Sequence, residues 1–138
     1  MTAKVERFII SSKGFDDFIE ITSKIQNLVS LFRVSEGMVN ICVTSPCTSL
    51  KIVEGEPGLN LDISKMMDFL VPINKIYQHD NVWHDGNAHA HLKTILFGNS
   101  LTLPVFDSKV CLGTHQQIVL LDFDNKASQK EIIVSMVY

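Results

Sequence analysis

A chain of 138 residues, 46% of them hydrophobic, is the size of one domain and can bury a core without disulfide or metal staples. Its 12 basic and 15 acidic residues give a net charge of -3 with no basic block, so nucleic-acid and anionic-membrane binding lack an electrostatic source. No apolar run approaches the roughly 20 residues that cross a bilayer, the start MTAKVERFII has no secretory h-region, and Cys42, Cys47 and Cys111 form no CxxC pattern. The expectation is one cytoplasmic domain spanning residues 1–138.

Val5 to Ser11 is β-branched and aromatic enough for a first strand, ended by the Lys13-Gly14 turn signal. The period then changes. Phe18, Ile21, Ile25, Leu28 and Phe32 recur at helical steps, which predicts a helix from about Asp16 to Phe32 with two acids at its N-terminal end. Met38 to Thr44 is short and rich in Val and Ile, so it reads as a covered strand. Leu50 to Val53 resumes an extended segment before the Gly55-Glu56-Pro57-Gly58 turn. Asn60 or Asp62 is placed to cap a second helix bearing the Ile63, Met66, Met67 and Leu70 stripe. A third helix opens at about Asn87, with Ala88, Leu92, Ile95 and Leu96 inward and Gly98 as its stop. From Leu101 onward the pattern is all strand: 101–106, 110–112, 117–123 and 132–137. Strands that follow one another directly favour antiparallel pairing, so the fold class is α+β, an antiparallel β-sandwich-like core with about three helices.

Chemistry concentrates between Tyr77 and Leu92, where YQHDNVWHDGNAHAHL carries four of the five histidines, His79, His84, His89 and His91. Imidazole is a metal ligand and a proton carrier near neutral pH. His89 and His91, two residues apart on a helix, point about 200° apart and cannot hold one ion together. Periodicity does not choose between them, nor between His79 and His84. The bland alternative is a solvated loop with incidental histidines.

Five ordered motifs narrow the choice. Ser45-Pro46-Cys47-Thr48-Ser49-Leu50 with Glu56, Tyr77-Gln78-His79-Asp80, Asp85-Gly86-Asn87 through Ala90-His91-Leu92, Gly98-Asn99-Ser100 with Pro104, and Gly113-Thr114-His115-Gln116 together resemble the YjbQ family, also labelled secondary thiamine-phosphate synthase enzymes. The resemblance spans nearly the whole chain. It implies that His79, His91 and the position of Cys47 are metal ligands, and that Glu56, Asp85, Asn87 and Gln116 are catalytic polar groups, with Asp80 and Thr114 nearby. It further implies a divalent metal ion, zinc or magnesium, and a small phosphorylated molecule or anion as partner. The associated reaction joins hydroxymethylpyrimidine diphosphate to thiazole phosphate with loss of pyrophosphate, and the associated assembly is a homotrimer.

Two positions depart from the family pattern. Cys47 stands where the family has histidine, and His115 where it has tryptophan. Zinc accepts thiolate or imidazole, so Cys47 either keeps the site or marks its loss. His115 is either a further donor or a smaller ring in the old tryptophan pocket. A noncatalytic oligomeric protein that binds a metal or small anion is therefore the competing expectation.

Overall fold

Period two builds most of the molecule. The computed structural model describes residues 1–138 and orders them as β1 (Ala3–Ser12), β2 (Asp17–Glu20), α1 (Thr22–Leu31), β3 (Gly37–Val43), β4 (Thr48–Val53), α2 (Pro57–Leu70), α3 (Gln78–Trp83), α4 (Ala88–Phe97), β5 (Ser100–Phe106), β6 (Lys109–Val110), β7 (Gln117–Asp122) and β8 (Ser128–Val137). A larger sheet runs β1-β8-β3-β5-β6 and a smaller one β2-β7-β4. Every pairing is antiparallel. The molecule is α+β with a sheet-rich core, as the run of successive strands predicts.

The smaller sheet is the layer on which the rest is stacked. Ile118 and Leu120 of β7 face the main core, shared with Val39 and Ile41 of β3, Ile132 and Val134 of β8, and Ile25 and Val29 of α1. Alternate residues Val119, Leu121 and Phe123 face a second cluster with Ile63 and Met67 of α2 and Ala90 of α4. Covered on both sides, the strand reads as a continuous apolar run, each large side chain worth about 1.5–3 kcal/mol of transfer free energy.

Local periodicity misplaces the starts of two helices and the inward face of the last, whose bounds it does predict. The first begins at Thr22, not near Asp16. Gly14, Phe15 and Asp16 all adopt positive φ (69°, 54° and 61°) and turn the chain back, so that Asp17–Glu20 pairs with β7 instead. A Cβ at Gly14 would collide with the Lys126 carbonyl oxygen, which leaves glycine as the residue that fits there. Phe18 thus packs on the second cluster from a strand, and the helical spacing it shares with Ile21 and Ile25 is coincidental.

The second helix starts at Pro57, ahead of both expected caps. The Glu56 carboxylate accepts from the backbone N–H groups of Gly58 (2.9 Å) and Leu59, and Pro57 supplies a first-turn residue with no N–H to satisfy. Glu56→Ala is therefore expected to lower stability by about 1 kcal/mol; a change within error in denaturant unfolding would mean solvent replaces this cap at no cost.

The last helix turns the opposite face inward. Ala88, His89, Ala90, Lys93 and Thr94 are buried, whereas Leu92, Ile95 and Leu96 are 39%, 76% and 59% exposed. Two alanines let the helix approach the sheet closely. Lys93 is fully buried because Asp68 (2.6 Å) and Asp16 (3.8 Å) receive its ammonium beside the Phe123 ring. Partners that lie far away in sequence made this reversal invisible to periodicity. A fourth helix, α3, occupies what reads as a loop. It ends at His84 in the left-handed region (φ 58°), and its Asp80 carboxylate accepts from the Ala88 N–H at 3.1 Å, which satisfies the start of α4. The strand expected at 110–112 is reduced to Lys109–Val110.

Candidate functional site

Antiparallel pairing of β4 with β7 sets Thr48 opposite Asp122 at one end and Val53 opposite Gln117 at the other. At the first end the chain enters β4 through Ser45-Pro46-Cys47, and the Cys47 carbonyl accepts from the Phe123 N–H at 3.0 Å. The α3–α4 hairpin closes over this end. A cleft of about 530 Å³ results, lined by Ser45, Cys47, His79, Trp83, Asp85, Asn87 and His91 on one side and by Asp124, Lys126, Gln129, Lys130 and Glu131 on the other.

Three residues from separate segments meet there. Cys47 Sγ lies 3.7 Å from His91 Nδ1 and 3.9 Å from Nε2. The His79 and His91 rings meet edge to face with centroids 4.5 Å apart. His79 Nε2 is 3.6 Å from Asp85 Oδ1. With its amide nitrogen directed at them, Asn87 donates to Asp85 Oδ1 (3.0 Å) and to His79 Nε2 (3.2 Å). Of the paired histidines on α4, His91 enters the cleft and His89 is buried on the other flank, so the 200° separation assigns them to different places. His84 stands outside the cleft lining on its left-handed cap.

The donor set is chemically suited to a metal, although no three of its His, Cys, Asp or Glu side chains are yet arranged around one coordination point. Imidazole, thiol and carboxylate within contact distance are the donors zinc takes, while magnesium prefers oxygen. Burial, with the Asp124 carboxylate adding to it, pushes the Cys47 thiol up to about 12. The sulfur is thus a thiol at neutral pH and becomes a ligand only if a cation displaces its proton.

Glu56 and Gln116 lie at the far end of the ladder. Six steps along the strand from Cys47 to Val53, at about 3.3 Å each, put that end roughly 20 Å from Cys47. There Glu56 caps α2, and Gln116 Oε1 accepts from the Gly113 N–H at 2.8 Å to close the turn that holds the exposed Thr114 and His115. The five residues Cys47, His79, Asp85, Asn87 and His91 are therefore brought together within one chain, and Glu56 and Gln116 are not.

Sequence reasoning missed the opposite wall. Lys130 is 5% exposed and Asp122 fully buried, with Lys130 Nζ 3.5 Å from Asp122 Oδ1 and 3.7 Å from Asp124 Oδ2. Thr48 Oγ1 donates to the same Asp122 oxygen at 3.1 Å. A signal existed: counting back by twos from Met136, Val134 and Ile132 lands on Lys130, and counting forward from Ile118 and Leu120 lands on Asp122. Charged residues at the ends of two inward-facing rows mark a place where the sheets meet through an ion pair.

An antiparallel two-sheet α+β domain with a histidine–cysteine cleft at the end of its smaller sheet is the class these observations define. The chain belongs to the YjbQ-like family, whose model, described as UPF0047 protein YjbQ-like, matches residues 6–138. A UPF0047 protein of Archaeoglobus fulgidus is 39% identical over 120 residues, which cover 87% of this chain and 91% of the relative. Among solved structures, a YbjQ-like protein of unknown function from Sulfolobus solfataricus superposes with a TM-score of 0.88 at 26% identity, covering 98% of each chain. An uncharacterised YjbQ/UPF0047-family protein from Clostridium acetobutylicum gives 0.87 at 28% identity, covering 96% of this chain and 99% of that one.

Proposed function

We propose that the cleft binds a divalent metal ion through Cys47, His79 and His91 and handles a small phosphorylated molecule beside it. The observation carrying this reading is the convergence of those three side chains from β4's entry loop, α3 and α4. Zinc is the metal the donors fit. When bound, it would supply Lewis-acid charge to a phosphate oxygen. The chain's own groups orient the rest. Asn87 orients the His79 ring by donating to Nε2, and Asp85, accepting from the same amide, holds Asn87 in place. Lys126 on the facing wall offers positive charge to an anion. By family resemblance the reaction is thiamine phosphate synthesis, a transferase activity in the cytoplasm.

The same reading includes assembly of several copies, three by resemblance. Leu92, Ile95 and Leu96 on α4 and Phe69 on α2 present apolar surface to solvent, and burying it between copies is favourable. Glu56 and Gln116 reach such a centre only from a neighbouring copy, given the length of the ladder between them. The Cys47 thiol, held protonated by burial, favours a second reading in which the cleft binds without turnover.

Anion binding tests the first reading separately from metal binding. Calorimetric titration of zinc-loaded protein with phenyl phosphate is expected to show saturable binding, weakened about tenfold in Lys126→Ala, a typical loss for one charge-assisted contact. Lys126 is exposed, so its truncation leaves the fold intact. Equal affinity in both proteins would remove the phosphate from this wall.

A further inference from the structure

A second cavity lies behind the first, on the flank of α4 that His89 faces. It has a volume of about 230 Å³, and its lining includes Phe15, Asp16, Ile73, His89, Phe123 and Asn125. We propose that this cavity binds a single-ring molecule carrying a cationic amino or amidinium group, with the ring against Phe15 and the cation toward Asp16.

Three features of the lining bear on a ligand. His89 lines the cavity at 5% exposure, and its Nδ1, just beneath that wall, has no hydrogen-bond partner. Phe15 and Asp16 are held over the cavity by the left-handed turn, φ 54° and 61°, that brings β2 onto β7. The turn is pinned there by the Phe15 N–H, which donates to the Asp124 carbonyl at 2.7 Å. Finally, Phe15 exposes 72% of its surface at this lip, as a ring waiting for a face to stack on would.

Size and charge define the class. A dry apolar cavity of about 150 Å³ holds benzene, and drug-sized ligands need about 300 Å³ or more, so 230 Å³ fits one substituted ring. Asp16 and Asp68 share a single ammonium, that of Lys93, and burial still holds the Asp16 carboxyl above its ordinary range. A second cation would relieve that deficit. An anionic ring would meet Asp16 and Asp124 and be repelled. The cavity uses none of the metal-binding side chains of the first cleft; Asp124 is the residue the two linings share.

Benzamidine and benzoate, the same ring with opposite charge, are the probes, titrated by ¹H–¹⁵N NMR into the full chain with a chelator present so that the first cleft holds no metal. Benzamidine is expected to shift Gly86, the His89 ring and Asn125 while leaving the Trp83 indole N–H unmoved. Binding is expected to weaken at least about tenfold in Asp16→Asn and severalfold in Phe15→Ala, whose exposed ring is not needed for folding. No saturable shift, equal affinity for benzoate, or shifts centred on Trp83 would each overturn the assignment.

Discussion

Lys130→Met is expected to lower the free energy of unfolding by about 3–5 kcal/mol, the cost of breaking a buried ion pair from one side. Its ammonium is the cation between Asp122 and Asp124, both nearly or fully buried, and it joins the last strand of the large sheet to the central strand of the small one. Methionine keeps the stem and volume but leaves the carboxylates without a counter-charge. Asp122 Oδ2 already lacks a partner, so nothing nearby takes over. Adding Asp122→Asn should restore part of the loss, because the amide removes one of the two uncompensated charges while still accepting from Thr48. Denaturant unfolding of the single and double variants measures both. A single-variant loss below about 1 kcal/mol would mean that water reaches the carboxylates and the pair is a surface one.

That ion pair also shows where the sequence was legible and where it was not. The strands announce themselves through alternation, and β7, buried on both faces, through an unbroken apolar run. His79, Asp85, Asn87 and His91 stand out because imidazole and its hydrogen-bonding neighbours crowd one short stretch, and Cys47 because it replaces a family histidine. What escaped was whatever depended on partners distant in sequence. The spacing of Phe18, Ile21 and Ile25 fits a helix, yet pairing of Asp17–Glu20 with β7 decides the matter. Leu92, Ile95 and Leu96 look like an inward stripe, yet Asp16 and Asp68 draw Lys93 inside and the leucines and isoleucine turn outward. Lys130 and Asp122 were readable by extending the inward rows past their apolar members, since a sheet's faces do not change where its residues become charged.

His91→Ala and Cys47→Ala are each expected to abolish metal retention while leaving the fold intact. His91 lies at the cleft wall, and Cys47, which also packs in the second apolar cluster, loses only one sulfur atom on truncation to alanine and leaves the main core untouched. Losing one of three protein ligands typically weakens a zinc site by orders of magnitude, more than the 10–100-fold loss from removing a supporting neighbour such as Asp85. His84→Ala is the control, an imidazole on the same hairpin that stands outside the cleft lining. The measurement is the metal content of protein purified without chelator and without a metal-affinity tag, by elemental analysis, on the wild type and the three variants. Zinc near one per chain in the wild type and in His84→Ala, and absent from Cys47→Ala and His91→Ala, is the predicted result. A folded wild type that holds no transition metal even after incubation with zinc, or a Cys47→Ala protein that retains it in full, would contradict the assignment of the cleft as a metal centre.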